Sequence, residues 1–233
     1  PVDDIEVDEF ISAKKDFWLH DNAHRQQSNN SLLFFKKPTK WEIAYIFDRM
    51  VEAGGSEPAF INAEAALKRA PHFKGVNPCA EILLGNKSFC NLVEIDWGKY
   101  LDDFESLKRA VYLSARANYR QTCVDLDDGI LQRSWHELNE FLRLCGVGAT
   151  GIVKWLDHQE YLCMNIPMML KTLQAQARLG ANSIADELGL PRAKLVSTIK
   201  PSGTLSKIMS TTEGVHRPLG KYIFNNVTFS KHD

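Results

Sequence analysis

The chain has no run approaching the ~18 consecutive apolar residues that a membrane helix requires, although 44% of its 233 residues are hydrophobic. No membrane partner is expected on that ground. It also lacks an excess of either charge. The 28 Lys and Arg offset the 29 Asp and Glu, leaving a formal charge of -1, so no global basic field points to nucleic acid. The densest basic run, FFKKPTK at 34–40, reads as a solvated turn. The opening PVDDIEVDEF is acidic and has no signal-peptide character. Cysteine is scarce too: five, unevenly spaced, do not make a disulfide scaffold, and a reducing cytoplasm is the expected setting. Internal repeats, low-complexity tracts and long linkers are missing. The first residue is Pro1 rather than methionine, and a strand-like run stops just before Asp233. Both ends read as cut, which predicts a piece of a longer protein.

What is present alternates between strand and helix signals. A helical stretch is expected within 7–20. SNNSLLFF, at 28–35, places turn formers before a short apolar run and reads as a strand. Thr39 can cap a helix with Glu42 three residues on, and Gly54-Gly55 can end it. EPAFIN at 57–62 and FCNLVEIDW at 89–97 are further strand candidates. Helical spacing fills 104–120, 134–145 and 166–188. GVGATG at 146–151 reads as a glycine-rich break, KLVSTI at 194–199 as a β-branched strand, KPSGTLSKI as a turn into a helix, and YIFNNVTF at 222–229 as a last strand. The alternation predicts an α/β class.

The chemistry concentrates in NPCAEILLGNKSFCN, at 77–91. Cys79 and Cys90 are eleven positions apart, Asn77 lies two before the first and Glu81 two after. The spacing is a poor zinc pattern, since metal pairs are usually Cys-x2–4-Cys. Pro78 and Gly85 forbid one regular helix, so a loop presents Cys79 and returns to Cys90. Two thiols beside an available acid/base suit thiol redox or radical chemistry. Two cysteines that are simply buried would have the same spacing, and the residues alone leave both readings open.

TIKPSGTLSK, at 198–207, is the second candidate. A strand ending in Lys200-Pro201, then Ser202, Gly203 and Thr204 entering a helix, offers main-chain N–H groups to an anion, with the hydroxyls of Ser202, Thr204 and Ser206 as further donors. A capped turn with no ligand would look the same. Gly146, Gly148 and Gly151 match Gly-x-Gly-x-x-Gly in spacing but follow a helix rather than a strand, so a dinucleotide site fails its context and close packing is expected. Cys123, Cys145 and Cys163 read as core. His216, in TEGVHRP, is expected to play a structural part near the turn.

Taken together, NPCAEI…FCNL, SNNS, LCGVGATG and KPSGTLSKI…TEGVHRP resemble, in order and over most of the chain, the catalytic region of the ribonucleotide reductase large subunit. The resemblance implies a fold, part of a ten-stranded α/β barrel with a central finger loop, and 1–233 would be a partial barrel. It also implies roles. Cys79 matches the cysteine whose thiyl radical removes the 3′ hydrogen of a ribonucleotide, Glu81 the general base on the 3′ hydroxyl, and Asn77 a ligand of the ribose. Cys90 matches one of two cysteines that reduce the 2′ position and end as a disulfide. Ser202, Gly203 and Thr204 match the substrate-phosphate site. No metal ligands are expected among these residues.

The short separation of Cys79 and Cys90 is similar to the adenosylcobalamin-dependent class, and the KPSGT…HRP region looks most like its monomeric, triphosphate-using members. That implies adenosylcobalamin as cofactor, ribonucleoside triphosphates as substrate, thioredoxin or a similar dithiol as reductant, and nucleotide effectors in the full-length enzyme. No cobalamin motif is visible here. The family's other reducing cysteine, its specificity loop and its C-terminal relay cysteines are not among these residues. A diphosphate reductase of the same family, or a catalytically incomplete piece acting as an assembly module, are the competing expectations.

Overall fold

Thr39 caps its helix in both directions. Its hydroxyl accepts the Glu42 N–H at 3.2 Å, and the Glu42 carboxylate accepts the Thr39 N–H at 2.6 Å. That main-chain bond, with the hydroxyl, holds the Glu42 carboxyl below its ordinary pKa. The helix is α3, Lys40–Ala53, and Gly54 ends it in the left-handed conformation. A computed structural model describes residues 6–16, 23–26, 28–125, 129–218, 220 and 222. The strand expected at 222–229 lies, but for Tyr222, outside them.

The chain divides into two units, 1–90 with 125–142, and 91–124 with 143–233. The first opens with the short helices α1, Val7–Ser12, and α2, Ala23–Gln26. Strand β1, Ser31–Phe34, then passes through α3 to β2, Ala59–Asn62, and the two pair in parallel, Ser31 opposite Ala59. Burial alternates along β1. Its inward Leu32 and Phe34 pack with Ile11, Ile46 and Met50, the last two supplied at helical spacing by α3. Asn62 caps α4, Ala63–Arg69, by accepting the Ala65 N–H at 2.9 Å. Two short strands, β3 at Gly75–Val76 and β4 at Leu83–Leu84, pair antiparallel.

The second unit is built on β5, Leu92–Asp96, which ends in a 3-10 turn, Trp97–Lys99. The long helix α5, Phe104–Gln121, follows. Helix α6, Arg133–Leu142, belongs to the first unit, after which β6, Gly146–Thr150, lies parallel to β5 with Glu94 opposite Gly148. The glycine-rich run 146–150 is therefore a strand and not a break. All five of its residues are buried, and a buried strand needs no outward polar alternation.

On its other side the 195–198 segment runs alongside. Val147 N–H donates to Val196 O at 2.8 Å, and Thr198 N–H to Val147 O at 3.1 Å. Only one parallel bridge, Val147 to Ser197, forms, so the strand expected at 194–199 is reduced to that contact. Helices α7, Ile152–Tyr161, and α8, Ile166–Leu188, complete the layer, and α9, Gly203–Ile208, follows.

Helix α8 lies against α5 at Gly180, where a Cβ would stand 2.3 Å from Tyr112 O. Ala115, Ala177, Ala181 and Ala185 line the same core, with Trp155 and Leu107 fully buried. Parallel strand pairs joined through helices make this an α/β fold. Among the described residues no helix is long and apolar enough to cross a membrane.

Candidate active site

Pro78 and Cys79 occupy the middle of a tight turn, closed by the Ala80 N–H donating to Asn77 O at 2.9 Å. Pro78 suits that corner because its ring presets φ. Ala80 then adopts φ 62, a left-handed conformation uncommon for a residue with a Cβ. The turn tips the β3–β4 hairpin. Asn77 clasps its base, its Oδ1 accepting the Ile82 N–H at 2.9 Å, and Asn77 and Ile82 are both buried. Phe73 is buried just before β3, and His72 Nε2 lies 3.3 Å from Leu83 O.

Cys79 is a free, exposed thiol at the tip. Glu81 has both carboxylate oxygens shielded from solvent. The loop thus carries Asn77, Cys79 and Glu81 close together in sequence, an exposed cysteine two positions before an enclosed carboxylate and an amide whose oxygen is already committed. That arrangement suits a reactive thiol with an adjacent proton acceptor.

The return from β4 is pinned separately. Lys87, at φ 65, donates through Nζ to Gln132 Oε1 and to Ser134 Oγ, and Phe89 meets Trp135 of α6 with ring centroids 5.2 Å apart. Cys90, which follows, is exposed and forms no disulfide.

Ser202, Gly203 and Thr204 lie in the second unit, at the start of α9. Ser202 is buried in the left-handed conformation, φ 58 and ψ 34. Its hydroxyl donates to Glu94 Oε2. The Ser206 hydroxyl donates to Gly203 O at 2.8 Å. Neither is the outward donor that the sequence led one to expect, because each is spent inside the fold. Gly203 and Thr204 are exposed, and a Cβ on Gly203 would meet no protein atom within 4 Å. The N–H groups of the first helical turn have no partner within the helix, so the turn's offer to an anion is main-chain.

Glu94 escaped sequence reasoning, and Lys200 reads in the sequence only as the end of a strand. A charged residue inside LVEID, between apolar strand residues, was the available signal for the first.

The remaining cysteines divide. Cys145 is core, and burial pushes its thiol up to about 12, so it stays protonated at neutral pH. Cys123 is half-buried. Cys163 is exposed at φ 53, just past the end of α7, and does not belong to the core expected for it. His216 pairs with Glu213 Oε2, and Lys207 Nζ with Oε1 of the same carboxylate, contacts that are structural. Among the described residues no group of three or more His, Cys, Asp or Glu could hold a metal ion.

No family model matches the chain. In fold it is similar to ribonucleotide reductases. A B-12 dependent, class II ribonucleotide reductase superposes over 91% of this chain and 33% of its own, at TM-score 0.74 and 23% identity. The class Id alpha subunit of Actinobacillus ureae matches 76% of this chain and 39% of its own at TM-score 0.57 and 16% identity. In sequence the likeness narrows to adenosylcobalamin-dependent ribonucleoside-triphosphate reductases. That of Lacticaseibacillus paracasei is 26% identical over 97% of this chain and 34% of its own length. That of Lactobacillus leichmannii is 25% identical over the same shares, and that of Levilactobacillus brevis 26% over 98% and 34%. The chain spans about a third of the length of these relatives.

Proposed function

We propose that this chain is part of the catalytic barrel of an adenosylcobalamin-dependent ribonucleoside-triphosphate reductase, which converts ribonucleotides to 2′-deoxyribonucleotides. The observation that carries the reading is the β3–β4 tip. An exposed Cys79 and an enclosed Glu81 share one turn with Asn77, in a chain whose similarity to such reductases covers 97% of its length. Cys79 as a thiyl radical removes the 3′ hydrogen of the ribose. Glu81 accepts the proton of the 3′ hydroxyl. Asn77 Oδ1 is held by Ile82, so its Nδ2 is the group that donates to the ribose. The 2′ hydroxyl leaves as water while two thiols, Cys90 and one from outside this chain, are oxidised to a disulfide.

The Ser202, Gly203 and Thr204 turn binds the substrate phosphate through main-chain N–H groups. The wider barrel encloses the radical cysteine on its finger loop, shielding it from water and solutes. An exposed thiol at a loop tip fits a group that must meet a bulky cofactor, and adenosylcobalamin when bound supplies the radical by cleavage of its Co–C bond. No residue of this chain is assigned to hold it. Thioredoxin or a similar dithiol reduces the disulfide back to two thiols and is itself oxidised, nucleotide effectors act on the full-length enzyme, and the setting is the reducing cytoplasm, where Cys79 and Cys90 rest as thiols between turnovers.

The test is Cys79→Ser in the full-length reductase that contains this chain, assayed for deoxynucleotide formation with adenosylcobalamin and a dithiol. Turnover falls below about a thousandth of wild type while the triphosphate dissociation constant changes less than about threefold. A serine O–H is too strong a bond to relay a hydrogen atom, although it preserves shape. Turnover above that level rejects the assignment.

A further inference from the structure

A buried acid underlies the Ser202 turn. Glu94 projects from β5 opposite Gly148 of β6, and its side chain is 3% exposed. Enclosing a carboxylate carries a heavy desolvation penalty unless it is paired and hydrogen-bonded. Two groups of the turn meet it. Ser202 Oγ donates to Oε2, and Lys200 Nζ stands 3.7 Å from Oε1. That Oε1 is shielded and has no hydrogen-bond partner among the described residues.

Gly148 of β6 lies beside this pair. A Cβ there would lie 3.4 Å from Glu94 Cγ and 3.8 Å from Lys200 Cβ. The turn is also gripped from downstream. Gly214 N–H donates to Pro201 O at 3.1 Å, and a Cβ on Gly214 would come within 2.6 Å of Lys200 O.

This geometry explains an otherwise unfavourable backbone. Ser202 holds φ 58, where an L residue is strained unless its surroundings fix it. Its one hydroxyl hydrogen goes to Glu94, so it cannot also donate to a phosphate, which only accepts. Ser202 therefore acts through its conformation, which sets the direction of the Gly203 and Thr204 N–H groups.

We propose that Glu94 is the positioning residue of the phosphate turn. By accepting the Ser202 hydroxyl and facing Lys200, it fixes the left-handed bend that presents those N–H groups to the substrate triphosphate. The proposal rests on the phosphate reading given above for Ser202, Gly203 and Thr204.

The experiment measures KM, kcat and the triphosphate dissociation constant in the full-length reductase for Glu94→Ala, Glu94→Gln, Ser202→Ala, the Glu94→Ala/Ser202→Ala double variant and Gly203→Val. Glu94→Ala raises KM and the dissociation constant about tenfold, with kcat within about threefold, the size of one lost charge-assisted hydrogen bond. Ser202→Ala removes the same bond from its other end and matches it, and the double variant adds nothing further. Glu94→Gln keeps an oxygen for the hydroxyl and recovers most of the loss, and it stands in if Glu94→Ala fails to fold. Gly203→Val, whose side chain meets no protein atom near its Cβ, weakens binding by obstructing the phosphate.

Additive effects in the double variant, or a folded Glu94→Ala that binds as wild type beside a Gly203→Val that does not, overturn the positioning role alone. A Gly203→Val that binds triphosphate as wild type overturns the phosphate reading and the positioning role with it.

Discussion

The Cys79 hairpin and the Ser202 turn answer different demands with different means. The hairpin stands on two strands of two residues each, and one side-chain clasp, Asn77 to Ile82, closes its base. Its Cys79 is exposed. The Ser202 turn is anchored from below by a buried carboxylate and from downstream by Gly214, and its own side chain is hidden. On the proposed function, a thiol that exchanges a hydrogen atom has to be reached. On the same proposal, a turn that orients an anion through main-chain N–H groups has to hold still, because main-chain donors cannot adjust by rotamer. The turn that carries Cys79 is closed by residues within a few positions of one another, and only its return after β4 is tied to distant residues, Gln132 and Ser134. The Ser202 turn is held by partners up to 108 positions away.

That contrast can be broken first in the core of the second unit. Gly180→Val places a side chain against Tyr112 O, backbone that cannot yield cheaply. The expected loss is about 3 kcal/mol by chemical denaturation. Hydrogen exchange should show lost protection in α5 and α8 with the β3–β4 hairpin unchanged. Equal loss in the hairpin would mean that the two regions do not melt independently.

Alkaline pH provides a milder separation. Burial raises the Cys145 thiol from 9.0 to about 12 and the Tyr119 hydroxyl from 10.0 to about 12. Both are neutral acids whose folded pKa exceeds the unfolded one. Their contribution is therefore complete below pH 9 and is lost as pH rises from 9 towards 12, at up to about 1.4 kcal/mol per pH unit for each proton involved. The second unit should lose stability across that window, and Cys145→Ala should flatten the part between pH 9 and 10. An unchanged slope in that variant would remove Cys145 from the account.

The smallest expected effect is at the clasp. Asn77→Ala leaves the Ile82 N–H buried without its acceptor, at about 1 kcal/mol. Exchange at Ile82 and Leu83 should accelerate while residues 202–206 keep their protection. If Ile82 exchange is unaltered, the clasp does not hold the hairpin.

Local chemistry was legible in the chain wherever neighbours in sequence are also partners in space. The Thr39–Glu42 box and Gly54 marked both ends of α3. Asn165 and Gly189 bound a helix whose expected span, 166–188, matches α8 residue for residue. Pro78 and Gly85 foretold a loop presenting Cys79, and Pro201 and Gly203 on either side of Ser202 foretold a turn into α9, because proline and glycine act on their own backbone. The chain by itself thereby determined an α/β alternation, the loop that carries the thiol, and the helix that follows the anion-site candidate.

Only the tertiary structure decided what depends on distant partners. Residues 146–150 look like a break, since glycines carry no periodic signal, yet they form β6 because β5 on one side and the 195–198 segment on the other satisfy their main-chain groups. Cys163 looks like core by helical placement and is exposed, because α7 ends before reaching it. The Ser202 hydroxyl looks like a ligand donor and is turned inward by Glu94, whose burial beside Gly148 appears only when β5 and β6 are set in register. A hydrogen-bond donor goes where the acceptor with the greater desolvation debt lies, and folding alone decides which acceptor that is.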